Sequence, residues 1–236
     1  MLAGPPPACK RSGMRLARPV SHVVYDMDGL LLDTEVFYTE VTQRIVGRWG
    51  KVFDWSVKSH MVGRPAIESA RYLVATLDLP ITAEEYLRER EDMLAELMPS
   101  AEPMPGAVAL TQALHARGVP QAVATSSSRR FFDLKTTRHH DWFALFAAVV
   151  VGDDPRVARG KPEPDIFLVA ARDLGADPAS CLVFEDAPAG LAAARAAGMQ
   201  VVAVPYPGMD VARLAAADLV VGSLLELSVA DLGFES

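Results

Sequence analysis

Apolar runs that close on polar turns alternate with helical segments that stop at glycine, and one long stretch breaks the alternation. Together these observations predict an α/β fold: a Rossmann-like parallel sheet core with an inserted helical cap domain. Parallel neighbours need a crossover, usually a helix, and such sheets bind ligands outside the carboxyl ends of their strands. The polar turns should therefore converge on one edge.

Ser21 to Tyr25 is rich in β-branched residues and meets Asp26-Met27-Asp28-Gly29. Val119 to Ala124 runs into Thr125-Ser126-Ser127-Ser128, Phe146 to Val151 into Gly152-Asp153-Asp154, and Cys181 to Phe184 into Glu185-Asp186. Val201 to Val204 and Asp218 to Val221 supply two more strands. Between them, Val108, Leu110 and Leu114 mark a helix ending at Gly118, Ile166 to Leu174 one ending at Gly175, and Leu191 to Ala197 one stopped by Gly198. From Val36 to Met104 no strand interrupts. Helices are expected at Phe37 to Trp49, Ala66 to Leu77 and Thr82 to Met98, the last opened by a capping box of Thr82 and Glu85. The expected division is a disordered basic tail over 1–20, a core over 21–35 and 105–236, and a helical cap over 36–104.

The 236 residues carry a net charge of −7, without a contiguous basic cluster, which argues against nucleic-acid polymers and anionic membranes as partners. The longest apolar run, Phe143 to Val151, is too short for a membrane span. Two distant cysteines, Cys9 and Cys181, make a disulfide framework improbable and fit a reducing, cytoplasmic setting. The basic, acid-free start also fits an organelle transit segment, but Pro5-Pro6-Pro7 spoils an amphipathic helix there. No heptads or long apolar stripe call for a partner chain, so a monomer is expected.

Four features carry chemistry. Asp26 and Asp28 end the first strand, Thr125 and Ser126 the second, Lys161 lies in Gly160-Lys161-Pro162, and Glu185-Asp186 ends another strand. A carboxylate can attack phosphorus and hold the phosphoryl group. Magnesium takes hard oxygen ligands from one or two carboxylates. Hydroxyl, N–H and lysine donors stabilise the phosphoryl oxygens as charge develops. Asp153-Asp154 reads as a solvated turn, His139-His140 lacks a third metal ligand, and the serine run lacks a Gly-x-Ser-x-Gly frame.

These four strings, in this order and with a helical insertion after the first, resemble the motifs of the haloacid dehalogenase superfamily, in its helical-cap branch. Lys135 to His140, Val151 to Pro155 and Cys181 to Pro188 resemble the eukaryotic pseudouridine-5'-phosphatase group in particular. The resemblance implies Asp26 as nucleophile and metal ligand, and Asp28 as the acid for the leaving alkoxide and then the base for water, its carbonyl also on the metal. It further implies Thr125 and the Ser126 amide on the phosphate, Lys161 between phosphate and Asp26, and Asp186 on Mg2+ with Glu185 as a further candidate ligand. The expected partner is a small phosphorylated metabolite, pseudouridine 5'-phosphate first, with Gly63 and Arg64 as candidate cap specificity residues. Alternatives are a sugar- or glycerol-phosphate phosphatase, a phosphomutase on the same core, and a catalytically silent binding protein.

Overall fold

A computed structural model of the chain describes residues 16–61 and 66–234. Among these, the strands β1 (His22–Tyr25), β2 (Gln121–Ala124), β3 (Ala148–Val150), β4 (Cys181–Glu185), β5 (Gln200–Ala203) and β6 (Leu219–Val220) form one parallel sheet in the order β3-β2-β1-β4-β5-β6. Period-2 alternation divides its faces. Val23 and Tyr25 of β1, Leu182 and Phe184 of β4 and Val202 of β5 enter one apolar cluster. Val24, Cys181, Val183, Val201 and Ala203 enter the other. Tyr25 stacks on Phe184 at 5.1 Å and donates its buried hydroxyl to Gln121 Oε1 at 2.8 Å, which ties the central strand to β2.

Helices α1 (Glu35–Gly47), α2 (Trp55–Met61), α3 (Ala66–Leu77) and α4 (Ala83–Leu97) fall between β1 and β2, and α5 (Ala107–His115) leads into β2. The short helices α6 (Arg129–Lys135) and α7 (His140–Phe143) follow β2, α8 (Asp165–Asp173) precedes β4, and α9 (Pro188–Ala196) precedes β5. The first four share a separate apolar cluster built on Val41, Ile45, Leu73, Tyr86 and Met98, against which Phe131 and Leu134 of α6 also pack. Among the described residues, no helix is long and apolar enough to cross a membrane.

Three differences from the sequence reading stand out. The insertion contains α2, where only Val57 is buried and the periodic signal is weak. Beyond the second strand, α6 and α7 are too short for periodicity to mark. Residues 16–20, assigned above to a disordered tail, are docked: Leu16 and Val20 pack on the sheet, and Arg18 exchanges 2.9 Å hydrogen bonds with the Gln200 side chain at the start of β5. Residues 1–15, Cys9 among them, lie outside the described residues.

The capping box forms as expected: Thr82 Oγ1 accepts from Glu85 N–H, and Glu85 accepts from Thr82 N–H. Thr82→Ala should cost about 1 kcal/mol, read as a lower urea midpoint with an unchanged slope. No change in midpoint would mean that the cap's packing alone sets the stability of α4.

Candidate active site

The strand order reverses between β1 and β4, and the two acids that end those strands meet there. Asp26 follows β1, its N–H still bonded to the Phe184 carbonyl at 3.0 Å, and Glu185 closes β4. Lys161 joins them. Its ammonium donates to Asp26 Oδ1 at 2.5 Å, to Glu185 Oε1 at 2.6 Å and to the Ala124 carbonyl at 3.1 Å, with the side chain only 7% exposed. Glu185 Oε2 accepts from Ala187 N–H at 3.0 Å, so both its oxygens are engaged. Asp186 is buried beside them.

Two glycines make this crowding possible. A Cβ on Gly29, whose φ is +82°, would come within 2.6 Å of Asp186 Oδ2. A Cβ on Gly190 would fall 1.6 Å from Glu185 Oε1. The glycines of the first and last motifs thus let backbone lie flat against the acids.

The charges do not balance. Burial pushes the Asp26 carboxyl up, Lys161 pulls it down, and Glu185 and Asp28 push it up again, leaving it at about 7. Asp186 is raised well above the usual carboxylate range by burial, then by Glu185 and Asp26. Burial opposes the Lys161 charge, but Asp26 and Glu185 outweigh it and hold its pKa above the ordinary lysine value. Hard carboxylate oxygens short of positive charge suit a divalent cation. Among the described residues, no three acidic, histidine or cysteine side chains converge as a complete cage. One or two carboxylates are the usual protein share of an Mg2+ shell, and Asp26 and Asp186 are of that type.

Asp28 is held differently. Oδ1 accepts from Thr34 Oγ1 at 2.8 Å and from the Lys135 ammonium, and Oδ2 from Ser127 Oγ at 2.8 Å and Thr125 Oγ1 at 3.2 Å. Burial alone would raise this carboxyl, yet the Lys135 charge and the hydrogen bonds from Lys135, Thr34 and Ser127 hold it below its ordinary value. Thr125 is fully buried and directs its hydroxyl to Asp28, whereas Ser126 lines the cavity with Asp26 and Lys161.

That cavity, about 560 Å³, lies between the sheet edge and the inserted helices. Tyr38, Trp55, Tyr86 and Tyr206 give it aromatic walls. Lys58 is tied to Glu35 at 3.1 Å and Thr39 at 2.8 Å. Arg90 of α4 stands 5.7 Å from the rings of both Tyr38 and Tyr86, and its buried Nε has no hydrogen-bond partner among the described residues. No described carboxylate forms an ion pair with it. Sequence reasoning missed Arg90, Thr34 and Lys135. Gly63 and Arg64, the candidate cap residues, lie outside the described residues. Of the arginines after the serine run, Arg130 pairs with Glu91 at 3.4 Å, and Arg129 N–H is capped by Asp153 at 2.8 Å. Asp154 is taken by Arg156.

The chain is similar to known proteins. The family model for haloacid dehalogenase-like hydrolase matches residues 20–198. (DL)-glycerol-3-phosphatase 2 of Arabidopsis thaliana is 49% identical over 91% of this chain and 91% of its own length. A Drosophila melanogaster protein named "Probable pseudouridine-5'-phosphatase" is 43% identical over 93% of this chain and 96% of its own. The crystal structure of a HAD family hydrolase from Deinococcus radiodurans, with bound phosphate and sodium, is 27% identical, with a TM-score of 0.74 over 90% of this chain and 95% of that one. On this match and these identities, the chain belongs to the haloacid dehalogenase-like hydrolase family and is a phosphoric monoester hydrolase within it.

Proposed function

We propose that this enzyme hydrolyses a small phosphomonoester, pseudouridine 5'-phosphate first, with Mg2+ as cofactor and through an aspartyl phosphate on Asp26. The observation that carries this reading is the buried Lys161 clamped between Asp26 and Glu185 at the switch point, with Asp28 two residues along. Lys161 engages Asp26 Oδ1, which leaves Oδ2 for phosphorus. The substrate's phosphate monoanion gives its proton to Asp28, which is ionised in the free enzyme. An Asp26–phosphorus bond then forms as the ester P–O bond breaks, and the departing oxygen takes that proton from the Asp28 carboxyl. Water then attacks the phosphorus, Asp28 receives its proton, and the bond to Asp26 breaks. The sum is monoester plus water to alcohol plus inorganic phosphate. Lys161 and the Ser126 amide hold the phosphoryl oxygens, while the Thr125 hydroxyl serves them indirectly, through Asp28. Asp26, the Asp28 carbonyl and Asp186 would hold Mg2+. When bound, the ion offsets the negative charge of phosphate and carboxylates. Because Lys161 and Ala187 occupy both oxygens of Glu185, its role is to anchor Lys161.

The cavity supports the nucleotide reading. Five aromatic side chains, Phe53 among them, offer faces for a planar base, and Arg90 offers donors for its carbonyl oxygens. The second reading, glycerol 3-phosphate, is favoured by the 49% identity to the Arabidopsis enzyme. Phosphate release from pseudouridine 5'-phosphate, uridine 5'-phosphate, glycerol 3-phosphate and hexose phosphates, with and without Mg2+, separates them. Pseudouridine 5'-phosphate should give the highest kcat/KM, and Asp26→Asn should reduce every substrate to background. A preference for glycerol 3-phosphate would transfer the assignment to the second reading, and turnover by Asp26→Asn would overturn the mechanism.

Arg90→Met should raise KM for the preferred substrate about tenfold or more, the loss of a charge-assisted hydrogen bond of about 1.5–3 kcal/mol. The change in kcat should stay within about threefold. An unchanged KM would remove Arg90 from the substrate contacts.

Stability should also report the acid cluster. A carboxyl raised to about 7 keeps its proton in the folded state while the unfolded chain ionises near pH 4. The metal-free protein should therefore lose stability as pH rises from about 4 towards 7, and Mg2+ should lift the thermal midpoint more at pH 8 than at pH 5. Equal lifts at both would refute the charge deficit.

A further inference from the structure

Lys135 is fully buried, although it is the last residue of a short helix, where a four-carbon chain readily reaches water. Burying an ammonium costs several kcal/mol unless a partner compensates, and an apolar side chain of similar volume would stabilise the fold as well. A buried lysine here calls for a reason beyond stability. Its ammonium touches Asp28 Oδ1 and donates to Ser127 Oγ at 2.6 Å, and Ser127 Oγ in turn donates to Asp28 Oδ2 at 2.8 Å. One cation thereby acts on both oxygens of Asp28, one directly and the other through a hydroxyl. The Asp28 side chain remains 22% exposed, so its open side faces the cavity while Lys135 seals the opposite side.

We propose that Lys135, acting with Ser127, is a positioning residue that fixes the orientation of the Asp28 carboxyl for proton exchange with the leaving oxygen and with water. A carboxyl held at one oxygen rotates about its terminal torsion, which is broad. Held at both, it presents one face. Thr34 and Thr125 add a further bond to each oxygen, but both are neutral donors from the Asp28 loop and the neighbouring strand end. Lys135 is the charged arm of the clasp, and it comes from α6. The consequence falls on turnover of esters whose leaving oxygen must be protonated, and not on binding. This inference rests on the role given to Asp28 above.

The test compares two leaving groups in the full-length enzyme with Mg2+, reading single-turnover release of the alcohol or phenol, so that the shared hydrolysis of the aspartyl phosphate does not enter. An alkyl monoester, pseudouridine 5'-phosphate or glycerol 3-phosphate according to which is turned over, needs a proton on its departing oxygen, whereas p-nitrophenyl phosphate hardly does. Lys135→Met should lower the single-turnover rate for the alkyl ester about a hundredfold, within the range of general acid–base help. For p-nitrophenyl phosphate it should lower the single-turnover release of p-nitrophenol less than about fivefold, with both half-saturating concentrations within about threefold. A purely structural role would lower both rates together, and that result, or no loss at all, overturns the proposal. Ser127→Ala, a small truncation at a half-buried position, should show the same selectivity at about tenfold. It decides the matter if Lys135→Met fails to fold. Asp28→Asn separates the two layers of inference. If it lacks leaving-group selectivity, the Asp28 role itself falls. If it is selective while Lys135→Met and Ser127→Ala are not, the Lys135 inference falls alone.

Discussion

A single buried ammonium, that of Lys161, determines where the acids of this protein can lie. Two acidic side chains from adjacent strands meet across the switch point, and the one cation between them donates to both. Lys161 reaches them from the loop before α8, so the charge pins three separate pieces of chain together at the sheet edge. It does not suffice for the whole cluster. Asp26 and Asp186 stay pushed above the usual carboxylate range, as carboxyls do where positive charge is short.

The rest of the architecture serves this arrangement. Alternating side chains bury β1 and β4 on both faces, which fixes their register and with it the relative height of Asp26 and Glu185. Glycines at 29 and 190 remove side chains that would collide with Asp186 and Glu185. The inserted helices contribute their own apolar cluster and turn aromatic and cationic side chains towards the cavity. The site thus divides in two: a rigid floor of charges from strand ends, and a roof whose composition suits the organic half of the substrate.

Much of the floor was legible in the sequence, because a strand that ends in a functional loop leaves its marks side by side: an apolar run, an acid, a glycine. Strand positions and the α3 span followed from period and punctuation, and Thr82 with Glu85 marked the start of α4. The supporting residues were not legible. Arg90 lies in Arg88-Glu89-Arg90-Glu91, a charge run that reads as a solvated helix face until the packing of α4 on α1 turns one member inward. Lys135 ends α6, where a cation favoured by the helix dipole is unremarkable, and only the tertiary fold reveals its complete burial. Thr125 has the residue type of a phosphate contact, but its hydroxyl points at Asp28, a direction that spacing along the chain does not encode.

The docking of residues 16–20 has a practical meaning. Arg18 bonds to Gln200 and to the Gly198 carbonyl, at the amino end of β5, the edge of the sheet opposite the acids. Residues 16–20 therefore cover the amino edge of the sheet, away from the acids. A chain shortened to begin at Ser21 would leave the Gln200 side chain without these partners and uncover the apolar surface beneath Leu16 and Val20, a cost to the fold that does not touch the acids.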